Sequence, residues 1–172
     1  MYRRGLGLPS GGYTLIEFLV TLAVMVIVLG IAVPNFGAFI ARNQVAGVKS
    51  AFAASLATAR SEAARSGNQV LLVASAGGAP GNEFGGGWDV YIDNDNNGLV
   101  DAADTRVRHY EALPAALTLS GKALLVFSAS GYLTPAANNV YRLCATDGST
   151  AGYAISVAPS GTTYAGAINN CP

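Results

Sequence analysis

Charge is scarce in this 172-residue chain: Asp, Glu, Lys and Arg make up 12% of it, ten basic against ten acidic, for a formal net charge of zero. A tight nucleic-acid binder carries a clear basic excess, so the composition gives that class no support. There is one histidine, His109, and there are two cysteines, Cys144 and Cys171. Two cysteines cannot frame a disulfide-rich scaffold but suffice for a single staple, and no Cys/His cluster has the spacing of a zinc site. Catalytic signatures are missing too. "SGTTYAG" and "SASGYL" are not G-x-S-x-G elbows, and no glycine loop has the spacing of a P-loop or dinucleotide fold. His109 stands alone in an alternating strand pattern, so it reads as structural or solvent-facing. No catalysis is expected.

What the chain does have is grease, 51% of its residues, concentrated near the N-terminus. Phe18 to Ala41 is a run of 24 residues without a charge. As a helix it would rise about 36 Å, enough to cross a bilayer core of roughly 30 Å. It is longer than the apolar core of a secretory signal, and no small-x-small cleavage site follows it. The preceding "MYRRGLGLPSGG" is charged only at Arg3 and Arg4, which fits a cytoplasmic N-terminus. A plain signal anchor would satisfy the hydropathy. It leaves unexplained a Gly11-Gly12 pair followed at once by "YTLIE", with the acid Glu17 at the head of the run.

Helical periodicity continues beyond the apolar run. Pro34 should kink the helix, since it removes a backbone donor and crowds the preceding turn. Val45, Val48, Phe52, Leu56, Ala59 and Ala63 recur at steps of three and four, an amphipathic stripe. Arg42, Lys49, Arg60, Glu62 and Arg65 fall mostly off it, and Gly67-Asn68 is a C-terminal stop. One helix is therefore expected from about residue 14 to 66. After it come "QVLLVAS", "GWDVYID", "TRVRHYEAL", "LTLSG", "ALLVFSASGYL", "VYRLCAT" and "GYAISVAPSGTTYAG", with turn residues between them. In "GWDVYID" the residues Trp88, Val90 and Ile92 share one face. This spacing suits an antiparallel sheet or sandwich. The Gly-rich segment 76–87 reads as a mobile loop, and no internal repeat is evident.

"GG/YTLIE" followed by about twenty apolar residues resembles the class III signal of type IV prepilins. The resemblance implies cleavage after Gly12 by a prepilin peptidase and N-methylation of the new amino terminus on Tyr13, where most members of the family have Phe. "ATARSEAARSGNQVLLVAS", the Gly-Trp strand running into an acidic turn, and the C-terminal cysteine pair are similar to FimT/GspH-type minor pilins and pseudopilins. Fold and organisation follow as expectations. The class is α+β, a lollipop with a long N-terminal helix packed on a C-terminal antiparallel β-rich head. Residues 1–12 are the leader, 13–41 the transmembrane or filament-core half of the helix, 42–67 its amphipathic half, and 68–172 the head.

The same resemblance implies a structural role: a minor pilin at the priming end or tip of a type IV pilus. Two readings stay open beside it, a minor pseudopilin of a type II secretion system and a DNA-binding minor pilin for natural transformation. Partners would be other minor pilins, the major pilin, the prepilin peptidase and the inner-membrane assembly platform. Before assembly the chain would cross the inner membrane once with its head in the periplasm. It would end in a surface pilus or a periplasmic pseudopilus. Glu17 and Pro34 become assembly residues. In a core of packed helices the Glu17 carboxylate would need a neighbouring subunit's terminal amine to offset its burial, which would fix the axial register. An oxidising compartment favours a Cys144–Cys171 disulfide. No nucleic-acid partner is expected. Loss of the leader leaves eight basic against ten acidic side chains, and no Lys or Arg follows Arg142. Phosphate contacts need such charges. Arg106, Arg108, Lys122 and Arg142 could support DNA binding only by converging on one face.

One further motif stands apart. "DNDNNGLVDAAD", residues 93–104, has the spacing of a calcium loop, with Asp93, Asp95 and Asn97 at alternate positions, then Gly98, Asp101 and Asp104. Hard oxygens at every second residue and a glycine at the sharp turn suit that ion. Against this, the last position is Asp rather than Glu, a strand precedes the loop, and Asp, Asn and Gly are also what a plain exposed turn uses. Both readings, a weak calcium site and a solvated turn, remain open at this point.

Overall fold

In the computed structural model the described residues are 12–76, 78–146, 152–169 and 171, with the side chains of 32–35 and 38 also left aside. A single helix, α1, runs Leu15–Ser66. Among the described residues nine strands follow: β1 Gln69–Ala74, β2 Trp88–Asp93, β3 Thr105–Tyr110, β4 Leu117–Ser120, β5 Leu124–Phe127, β6 Leu133–Thr134, β7 Asn139–Ala145, β8 Gly152–Val157 and β9 Thr163–Ile168. The chain divides into two compact units, one ending at Gly37 and one beginning at Ala38.

In the second unit the strands form two antiparallel sheets, ordered β3-β2-β1-β5-β6 and β4-β7-β8-β9. β1 is the centre of the first sheet. Its Val70, Leu71 and Leu72 are wholly buried between β2 and β5, as a continuous apolar strand should be. Two sequence stretches that read as single elements are hairpins. "ALLVFSASGYL" divides into β5 and β6 around Gly131, and "GYAISVAPSGTTYAG" into β8 and β9 around Gly161. Both glycines have positive φ, +77° and +76°, a backbone state that a side chain disfavours.

The helical stripe packs as its spacing predicts. Val45, Phe52, Leu56, Ala59 and Ala63 are buried in the core, and Val48 packs against it partly covered. Gly67 ends α1 with φ of +72° and donates its N–H to the Ala63 carbonyl, a left-handed helix stop. Phe52 is the central contact. Its ring lies 5.5 Å from Trp88 of β2, 4.9 Å from Tyr141 of β7 and 5.2 Å from Phe84. One helix residue thus touches both sheets. Burial pushes the Tyr141 hydroxyl's pKa upward, and this hydroxyl donates to the Lys122 carbonyl at 3.2 Å.

Phe84 corrects the expectation of a mobile loop over 76–87. It is wholly buried. Its N–H donates to the Leu119 carbonyl, and Asn82 Oδ1 accepts from the Leu119 N–H, which ties this segment to β4. The Glu83 carboxylate accepts from the N–H groups of Gly81 and Gly121, and these bonds hold its pKa below the usual range. The staple is formed: Cys144 of β7 is bonded to Cys171, with Cα atoms 5.6 Å apart. A Cβ on Gly152 would collide with the Cys171 sulfur, so only glycine fits beneath it. Closing a ring of this size stabilises by about 3 to 4 kcal/mol in the chain-entropy account.

Phe52→Ala would remove the ring shared by both sheets and leave a cavity. The expected loss is about 3 to 5 kcal/mol, read as a lower denaturation midpoint of the full-length protein in detergent. Ala57→Ser, on the exposed side of the same helix, should change it by under about 0.5 kcal/mol.

Candidate functional site: the N-terminal helix and the head loops

The cleavage and assembly residues lie at the start of α1. Gly12, Tyr13 and Thr14 precede the first helical residue, and all three are exposed. The Thr14 hydroxyl oxygen accepts from the Glu17 N–H at 3.3 Å, and the Phe18 N–H donates to the Thr14 carbonyl. Thr14 is therefore the N-cap, and Glu17 stands at the capping-box position three residues later. Sequence reading missed this, although Thr-x-x-Glu before an apolar run is its ordinary signal. It gives Glu17 a local role, since an acid in the first turn is favourable against the helix dipole. It leaves the carboxylate free to act outside the chain. Leader residues 1–11 lie outside the described residues, Gly11 of the Gly-Gly pair among them. The Pro34 side chain does too, and with it the expected kink.

From Leu15 to Ile31 the apolar side chains face outward on every side of the helix. Ile16 is 66% exposed, Phe18 62% and Ile27 64%. Apolar exposure of this extent marks a surface that another apolar phase or partner covers. Among the described residues, no helix is long and apolar enough to cross a membrane. The span expected over 18–41 includes 32–35 and 38, whose side chains are not described.

The 93–104 loop brings Asp93, Asp95 and Asp104 together, with one carboxylate oxygen of each within 4.8 Å of the others. Asp93 is buried; its two oxygens accept from the Asn97 N–H at 3.2 Å and the Gly98 N–H at 2.8 Å. Asp104 accepts from the N–H groups of Asn94 and Asp101. Asn97 turns its amide nitrogen, not its oxygen, toward Asp95 and Asp101, at 2.9 Å each. Its oxygen accepts from the Leu99 N–H. Of the five candidate ligands, three carboxylates converge, Asn97 presents a donor, and Asp101 is bonded to that donor. Left-handed Asn96 and Gly98 make the sharp turn, and Asn96 Oδ1 accepts from the Gln69 N–H at the start of β1.

A second polar cluster was not anticipated. Asp89, nearly buried on β2, accepts from the Ser75 hydroxyl at 2.7 Å and lies 2.8 Å from His109 Nδ1 and 3.7 Å from Arg106. Serine and histidine both bond the same carboxylate, so the hydroxyl is not activated by the imidazole, as nucleophilic catalysis would require. The cluster ties β3 to β2 beside the register shift at Val90/Tyr91. The four candidate DNA-contacting cations are dispersed by strand: Arg106 and Arg108 on β3 in one sheet, Arg142 on β7 in the other, and Lys122 in the connection before β5.

Comparison with known proteins gives two family matches. Residues 50–161 match the family described as type II transport protein GspH. Residues 9–33 match the prokaryotic N-terminal methylation motif. The fold is similar to the type IV minor pilin FimU of Pseudomonas aeruginosa, with TM-score 0.59 and 23% identity over 78% of this chain and 96% of that one. It is also similar to the minor pseudopilin EpsH of the type 2 secretion system of Vibrio cholerae, with TM-score 0.54 and 12% identity over 72% of this chain and 97% of that one. A comparison with curated proteins finds no match. The GspH match takes in the last turns of the helix and eight of the nine described strands, and the methylation motif covers the helix start with Gly12, Tyr13 and Glu17: this chain belongs to the GspH family.

Proposed function

We propose that the chain is a minor pilin, a non-enzymatic structural subunit that primes or tips a type IV pilus. One observation carries the reading: from Leu15 to Ile31 the apolar side chains are exposed around the whole helix, with a single carboxylate, Glu17, in its first turn. A membrane is the apolar phase that covers this segment before assembly, and the packed helices of neighbouring pilins cover it afterwards. Prepilin peptidase would cut after Gly12, and the amine of Tyr13 would be methylated. The assembly platform, other minor pilins and the major pilin are the partners this route requires. Transfer from lipid to protein suits Glu17. Near the headgroups a carboxylate is tolerable, and between packed helices it is expensive unless a neighbour's terminal amine meets it. The match to the methylation motif over 9–33 supports the same route.

The pseudopilin of a type II secretion system is the second reading, favoured by the description of the family matched over 50–161. The two separate in a deletion strain. A pilus subunit predicts loss of surface filaments with exported enzymes still secreted, and the reverse pattern selects the pseudopilin.

The 93–104 loop we read as a turn closed by its own hydrogen bonds, with no cation required. Adding about 5 mM calcium should leave the melting temperature unchanged. A site with Kd near ~10⁻³ M would add about 1 kcal/mol and raise it by about 2 to 4 °C, and such a rise would restore the calcium reading.

Two substitutions test the processing route. Gly12→Leu should retain the leader, because the peptidase needs a small residue there. Glu17→Val should be cleaved normally yet enter sheared filaments at least about ten-fold less, since an amine left unpaired in an apolar core is costly. Normal incorporation of Glu17→Val would remove the register role from this acid.

A further inference from the structure

Along one flank of α1, beside its buried stripe, a groove of about 470 Å³ runs between the helix and the two turns that close the β5–β6 and β8–β9 hairpins. Ala53, Ala57 and Ala64 give it a small-residue wall, so a partner's backbone can approach closely. Ser130 and Thr162 line the opposite side. Each of these two hydroxyls belongs to a pair, with Ser128 at 3.0 Å and Ser160 at 2.9 Å; Ser128 also donates to the Tyr132 carbonyl, so Ser130 donates within its pair.

Arg60 stands in this groove, and its stem is held by backbone. A Cβ on Gly131 would lie 3.1 Å from Arg60 Cγ and 3.3 Å from its Nε. One on Gly161 would lie 3.1 Å from its Cδ. Two left-handed glycines from two different hairpins therefore leave room for one arginine stem. The turns are fixed in their own right by Gly131 N–H to the Ser128 carbonyl and Gly161 N–H to the Ala158 carbonyl, and Leu133 N–H to the Pro159 carbonyl links them. Among the described residues no carboxylate pairs with Arg60, whereas Arg65 one turn on is paired with Glu62 and Arg106 with Asp89. The two turns thus seat the stem of an exposed cation and, among the described residues, supply it no anion. Preorganising a guanidinium removes much of the ordering cost of binding, and its fork favours carboxylates.

We propose that the Arg60 groove is a subunit-docking site that receives a carboxylate-bearing loop from a neighbouring filament subunit of the same fold. The inference rests on the filament reading above. The chain itself displays the complementary chemistry. Its 93–104 loop exposes Asp95 and Asp101 and contains no Lys or Arg. Groove and acidic loop are different patches of one fold, so their contact is heterologous, the kind that propagates along an open filament rather than closing a dimer.

The test uses the full-length protein in its native membrane, with filaments sheared and collected. Arg60→Glu reverses the charge, and Ala57→Trp fills the groove while leaving Arg60 in place. Each should leave leader cleavage, membrane abundance and the Cys144–Cys171 bond as in the wild type. Each should also reduce the amount in filaments about ten-fold, the scale of one charge-assisted bidentate contact. Arg60→Lys, which keeps the charge without the fork, should fall between. A benzophenone side chain at position 57 should crosslink to an Asp- or Glu-bearing loop of a pilin-type subunit. Wild-type levels of both variants in filaments, or crosslinks confined to segments without acids, would overturn the groove. Absence of the wild-type protein itself from filaments would instead sink the filament reading on which the inference depends.

Discussion

Phe52 is the residue on which the head is built. It sits on a helix, yet its ring meets Trp88 of one sheet, Tyr141 of the other and Phe84 of the β1–β2 connection. The buried stripe of the helix and the buried side chains of both sheets form one core. The outer half of α1 thus does in this head what a third layer does in larger folds. Its stripe shrinks from Phe52 and Leu56 to Ala59 and Ala63 toward the C-terminal end, and all four are wholly buried.

The same helix meets a different constraint in its first half. From Leu15 to Ile31 there is no polar face at all, so nothing in this chain's own β-structure could tell one side of it from another. Such a surface needs an apolar environment supplied from outside, in the proposed route first by lipid and then by other helices. Glu17 gives this featureless surface a fixed point. Its N–H donates to the Thr14 hydroxyl and so helps cap the helix start, while its carboxylate makes no hydrogen bond or ion pair among the described residues. Glu17 and the exposed Arg60 are unlike the core residues in that, among the described residues, no oppositely charged side chain meets them.

Much of this was legible from the sequence because it is periodic. Steps of three and four located the buried stripe, and the alternation of Trp88, Val90 and Ile92 located β2 and its inner face. Features without a period were not legible. Phe84 is a lone aromatic in a glycine-rich segment, so nothing local separates it from an exposed loop residue; its burial depends on β4, more than thirty residues away in sequence. Asp89 occupies a polar position of an alternating strand and is nonetheless covered, because Ser75 and the side chains of β3 close over it. The hairpins at Gly131 and Gly161 were hidden inside apolar stretches. The acidic loop is a different case. Its spacing fits a calcium motif and a plain turn alike: Asp93, Asp95 and Asp104 converge, while Asn97 donates to Asp95 and Asp101.

The account turns on whether the chain is processed to begin at Tyr13. Intact-mass spectrometry of the wild-type protein extracted from membranes, without reduction, measures this directly. The account predicts a single species spanning Tyr13 to Pro172 with one added methyl group and one disulfide. A mature protein whose mass still includes Met1 to Gly12 would contradict it.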